Sequence, residues 1–264
     1  GFTPTTPVHV EMFSNDEHFS VRTSGLPNMG VQGVCFGQVV TALSPRAGPF
    51  NWAQITTHEL AHVFPIQLSR NRVPRWFTEG LAEYEPIIAR PEWQREQDHR
   101  LWLALESGRV PPLRQLNHAF THARNAEDVT VAYYGSSMLV KYIAERFGFD
   151  RTVRMLREWG AGRSTEEVIQ RSLGVDIDTL DADFRRHTRE RLAARADDFA
   201  VDLGAHTDLE AARQRVAQHP DDAEAHAALG AALLIQGQAD EARAVLREAF
   251  IRERFDVPAS DDLF

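Results

Sequence analysis

The sequence predicts an α+β fold, and three observations point to it. Residues 7–13 (PVHVEMF) and 31–43 (VQGVCFGQVVTAL) are rich in Val and Phe and interrupted by Gly, Pro and Asn, the pattern of a small N-terminal sheet. After residue 50, apolar residues recur mostly at helical spacing. Strands followed by helices indicate an α+β domain rather than alternating βαβ units. Near residue 200 the composition changes again, so a first domain over 1–200 and a helical module over 201–264 are expected.

The helices can be placed in order. Asn51 caps a helix through WAQITTHELAHVF, and Pro65 kinks or ends it, because proline removes the bond to the carbonyl of residue 61 and crowds that turn. Pro74 precedes a second helix through RWFTEGLAEY. Helical periodicity continues in PEWQREQDHRLWLALESG, VAYYGSSMLVKYIAERFG and RTVRMLREWG, and Ser164 with Glu167 makes a capping box for a further short helix. Beyond Pro220, DDAEAHAALGAALLIQGQADEARAVLREAF places small residues on two helices joined by QGQAD. This text resembles one tetratricopeptide repeat (TPR), with Leu229, Gly230, Leu233, Ala242, Leu246 and Ala249 on the family's packing positions. The resemblance implies a protein-binding helical module; a plain helical hairpin closing the chain is the alternative.

Composition narrows the function. A chain of 264 residues buries enough surface to fold without cross-links, and Cys35, its one cysteine, excludes an intrachain disulfide. A metal site here must therefore use imidazole and carboxylate donors. The net charge of −9 disfavours generic binding to nucleic acid and to anionic membranes. The longest apolar run, AALGAALLI, is about half the ~18 residues of a membrane span. The opening GFTPTT carries neither an initiator Met nor a signal peptide, as in a mature or excised form.

The chemistry-bearing stretch is TTHELAH. In a helix His58 and His62 lie one turn apart on one face, where both imidazoles reach one ion and Glu59 projects beside it. Two histidines on zinc require a third protein ligand and an open position for water. Glu79, in VPRWFTEGLAEY seventeen positions after His62, is the candidate. Here the chain resembles the gluzincin metallopeptidases, in particular the peptidase MA-like group, whose W-[LF]-x-E-G-x-A motif is matched by Trp76, Phe77, Glu79, Gly80 and Ala82.

That resemblance implies a thermolysin-like zincin domain and a Zn2+ cofactor held by His58, His62 and Glu79. It also implies Glu59 as general base for a zinc-activated water and a peptide or protein as substrate. Glu83, one turn after Glu79, would accept the outer N–H of a ligand histidine or be a solvated glutamate. VAYYGSSMLVKYIAERFG resembles the gluzincin segment whose tyrosine stabilises the oxyanion, which assigns that role to Tyr133 or, as runner-up, Tyr134; the alternative is two rings anchoring a helix.

GVCFGQVV stands where the family has an edge strand that pairs with substrate, but no acidic residue lies between Gly30 and Ser44. The aminopeptidase branch has there a glutamate that binds the substrate amino terminus, so its lack points to an endopeptidase. Two other functions stay open: an inactive zincin scaffold serving the TPR surface, and a zinc hydrolase of a non-peptide bond. The family's members imply an exported or cell-envelope location in a bacterium. His99, His118, His122 and His187 stand outside any such motif.

Overall fold

The computed structural model describes residues 2–27, 30–93, 97–123, 125–199 and 208–255. It divides into two compact units, Gly1–Ala196 and Asp197–Phe264. The boundary expected at 200/201 falls outside the described residues.

Three strands, β1 (His9–Phe13), β2 (Gly33–Cys35) and β3 (Val39–Leu43), form the sheet. Their order is β1-β3-β2, with β1 parallel and β2 antiparallel to β3, so β2 is an edge. A helix that the sequence pattern left unassigned, α1 (Asp16–Ser24), follows β1. Its signs were short-range ones: Asn15 accepts from the His18 amide, acidic residues occupy the first turn and Gly25 closes it in the left-handed region.

After the sheet, helices dominate. α2 (Trp52–Leu68) starts at the Asn51 cap but does not end at Pro65. The proline forfeits its own amide bond, while its carbonyl still accepts from Ser69 at 3.0 Å, so the last turn closes beyond it. Arg70 and Asn71 then adopt left-handed backbone at φ 56° and 59°, and Val73 N–H bonds to Ser69 Oγ. This tight turn accommodates the short spacing to α3 (Arg75–Ala89).

α4 (Asp98–Glu106), α5 (His118–Thr121), α6 (Ala126–Phe147), α7 (Phe149–Gly160), α8 (Thr165–Leu173) and α9 (Ile177–Ala193) complete the first unit. The expected capping box is present at Ser164 and Glu167. Residues 94–96 of the helical stretch expected over 91–108 lie outside the described residues, and α4 covers its second half.

Burial of Trp76 and Phe77 orients α3. Both rings meet Trp159 of α7, at 6.3 Å and 4.8 Å, in the core that α6 and α9 also line. Gly80 lets α6 come close: a Cβ there would stand 2.5 Å from the Ser136 carbonyl oxygen. Any side chain at position 80 would push α6 and its tyrosines away from Glu79.

α10 (Ala196–Phe199) begins at the last residue of the first unit, and the second unit contains α11 (Leu209–Gln218), α12 (Ala223–Ile235) and α13 (Ala239–Phe255). Ala212, Leu229, Ala232, Leu233 and Ala242 make its core. No described helix is long and apolar enough to cross a membrane.

Candidate metal centre

α2 presents His58, Glu59 and His62, and α3 presents Glu79 opposite them. His58 Nε2 and His62 Nε2 are 3.2 Å apart. Glu79 Oε2 lies 3.6 Å from the first and 3.4 Å from the second. Donors about 2.0–2.1 Å from a tetrahedral ion stand about 3.3 Å from one another, so these three edges match one zinc-sized ion. Among the described residues, this trio is the group of His, Cys, Asp and Glu side chains close enough together to hold a metal.

The atoms behind the trio are also engaged. His58 Nδ1 faces Glu83 Oε1 at 3.2 Å, and His62 Nδ1 shares a hydrogen bond with Thr78 Oγ1 at 2.8 Å. With the outer nitrogens so occupied, both Nε2 lone pairs are directed inward. Glu79 Oε1 accepts from Arg75 Nε at 3.3 Å. Thr78 was invisible to the motif, because its partner His62 is fixed only once α3 packs against α2; Arg75 lies one turn before Glu79 on α3 itself, just outside the matched motif.

In the metal-free protein, burial opposes charge on His58, but hydrogen bonds to Glu79 and Glu83, with the charges of Glu83 and Glu59, raise its pKa to about 10. Burial likewise opposes charge on Glu79, yet His58 and His62 hold its carboxyl well below the usual carboxylate range. The raised His58 pKa means that its proton stabilises the metal-free fold below the unfolded value of about 6.5, a contribution lost as pH rises through about 10. A metal must displace that proton. Zinc titration at pH 8, in buffers of different ionisation enthalpy, should therefore release about one proton per ion, with affinity climbing about tenfold per pH unit below 10. Proton-free loading at pH 8 would contradict this.

Glu59 is buried beside the trio. Desolvation raises its pKa, the two histidines pull it back, and Glu79 and Glu83 push it up again. It abuts Gly33 of β2, where a Cβ would lie 2.5 Å from Glu59 Cγ and 2.9 Å from Oε1. Gly33→Ala must therefore displace the Glu59 carboxylate. The expected result is a loss of turnover of about 100-fold with zinc affinity unchanged, read by kinetics and metal titration in parallel. Just outside the two ends of that strand, Phe36 N–H bonds to the Val39 carbonyl and the Gln32 carbonyl accepts from Leu43. The alternation leaves the backbone groups of Gly33 and Cys35 facing away from β3.

The two tyrosines separate. Burial raises the Tyr133 pKa, the Glu79 charge adds to this, and the Arg75 guanidinium opposes it; the phenol thus senses the site. Tyr134 donates its hydroxyl to Asp98 Oδ1 at 2.7 Å, and Asp98 also accepts two bonds from Arg191. Its pKa rises through burial and the Asp98 bond, opposed by the Arg191 charge. Tyr134 is thus bonded to Asp98, whereas Tyr133 stands near enough to Glu79 and Arg75 to feel their charges. A cavity of about 190 Å3 is lined by Val110, Leu116, Val131 and Phe184 but by none of the trio, so it is not where this chemistry sits.

The model of the Peptidase MA superfamily matches residues 1–190. No curated protein and no solved structure matches the chain.

Proposed function

This chain belongs to the Peptidase MA superfamily, and on that premise we propose that it is a zinc-dependent metallopeptidase acting within polypeptide chains. The observation that carries the reading is the convergence of His58 Nε2, His62 Nε2 and Glu79 Oε2 at 3.2–3.6 Å. A metal held by His58, His62 and Glu79 would supply a Lewis acid able to acidify water and polarise a carbonyl.

The chain's own residues do the rest. Glu59, with its basicity raised by burial, takes the proton from the attacking water and later hands it to the leaving amine. Tyr133 donates its hydroxyl to the developing oxyanion. Glu83 and Thr78 fix the tautomers of His58 and His62. The outward backbone groups of Gly33 and Cys35 pair with an extended substrate, laying it across Glu59. Endopeptidase action is favoured because residues 30–44 offer no carboxylate for a free amino terminus. The second unit serves as a TPR-like module that recruits a protein partner or substrate, and the chain works outside the cytoplasm or at the cell envelope.

The test is an unfolded carrier protein together with matched peptides, free and acetylated at the amino terminus. Internal fragments, equal cleavage of both peptides, and loss with chelator reversed by Zn2+ are expected. Stepwise release of single residues from free termini alone would refute the endopeptidase assignment. Stoichiometric zinc without turnover on any peptide library would refute the peptidase reading.

A further inference from the structure

Arg75, the first residue of α3, reaches two atoms on which the chemistry depends. Its Nε donates to Glu79 Oε1 at 3.3 Å, and its guanidinium lies within hydrogen-bonding reach of the Tyr133 hydroxyl. The guanidinium carbon sits 5.6 Å from the centre of the Phe120 ring. That ring in turn meets Tyr133 edge to face at 5.1 Å. Arg75, Phe120 and Tyr133 thus form one packed unit against Glu79.

A guanidinium can only donate hydrogen bonds. In any bond between the two the Tyr133 oxygen therefore accepts, which leaves the phenol's own proton free to be donated elsewhere. By the same logic Oε1 of Glu79 is committed to Arg75, and Oε2 alone faces the two imidazoles. An ordinary half-exposed i,i+4 ion pair on a helix would contribute little to stability and would touch neither function.

We propose that Arg75 is a positioning residue that keeps Glu79 a one-oxygen ligand and aims the Tyr133 proton at the open side of the metal centre. The Glu79 half concerns metal binding alone; the Tyr133 half rests on the peptidase reading above. No residue of the matched motif has this job, because Arg75 stands just before Trp76.

The test uses the full chain with Arg75→Met and Arg75→Lys, each shown by its melting curve to be folded. Co2+ titration without substrate reads the first half through the visible absorption band. Arg75→Met should bind Co2+ about 10- to 100-fold more weakly than wild type. Its band should be weaker, because the freed Oε1 can swing onto the ion and raise its coordination number. Arg75→Lys should fall between the two, since an ammonium keeps the charge but loses the planar fork that serves two partners.

Turnover of the Zn2+-loaded protein reads the second half in a cycle with Tyr133→Phe. Arg75→Met should lower kcat about tenfold or more with KM little changed, and should have little further effect when Tyr133 is already Phe. Unchanged Co2+ affinity and spectrum would overturn the Glu79 half. Equal losses in both tyrosine backgrounds would overturn the Tyr133 half. A wild type that loads Co2+ with the stated dependence on Arg75 but cleaves no peptide would overturn the peptidase reading and the Tyr133 half with it, leaving the Glu79 half supported.

Discussion

Glu59→Gln should abolish measurable turnover, lowering kcat by about 10²- to 10⁴-fold, while zinc binds as in wild type. The amide keeps the shape of the side chain but cannot accept a proton. Glu59 has no place in the trio of converging donors, so its loss leaves His58, His62 and Glu79 undisturbed. It also packs on Gly33, and Gln preserves that contact, which separates this variant from one that merely opens a hole. Loss of zinc together with loss of activity would mean that Glu59 is a ligand; full activity would mean that another group is the base.

The second large effect concerns the ligands. His62→Ala and Glu79→Gln should each weaken zinc binding by more than the roughly 10- to 100-fold typical of a residue that only supports a ligand, as Thr78 does. Thermal unfolding reports this without any substrate. Zinc at 1,000 times its dissociation constant stabilises the wild-type fold by about 4 kcal/mol, and the ligand variants should lose most of that increment. Thr78→Ala, which removes the hydroxyl on His62 Nδ1, should retain about 1.4–2.7 kcal/mol of it, the increment left after a 10- to 100-fold loss of affinity. Equal zinc-induced shifts in wild type and Glu79→Gln would remove Glu79 from the ligand set.

How much of this was legible in the sequence follows from the range of each interaction. His58 and His62 could be paired from spacing alone, because one helical turn fixes their relation before any packing occurs. The caps at Asn51 and Ser164 were equally local. Glu79 needed a family motif, since the turn at Arg70 and Asn71 that brings α3 back to α2 uses left-handed backbone at residues that do not advertise it.

Tyr133 and Tyr134 are neighbours in sequence and about 100° apart around α6, so only the partners of that helix could separate them. Asp98 and Arg191, distant in sequence, hold Tyr134. Of the two outcomes expected at Pro65, an end to the helix did not occur: the proline lacks only its own amide bond, and its carbonyl still accepts from Ser69, so the helix runs on to Leu68. Gly33 and Gly80 carried meaning that no local pattern reveals: each marks a place where a carboxylate or a carbonyl comes too close for a side chain.

The most direct measurement on the metal centre is zinc-edge X-ray absorption of the zinc-loaded protein, which reports the donors without any substrate. One zinc per chain with two imidazole nitrogens and oxygen donors at about 2.0–2.2 Å is expected, with no sulfur in the shell. A thiolate sulfur at about 2.3 Å, which only Cys35, the chain's one cysteine, could supply, or a shell lacking imidazole, would contradict a centre built from His58, His62 and Glu79.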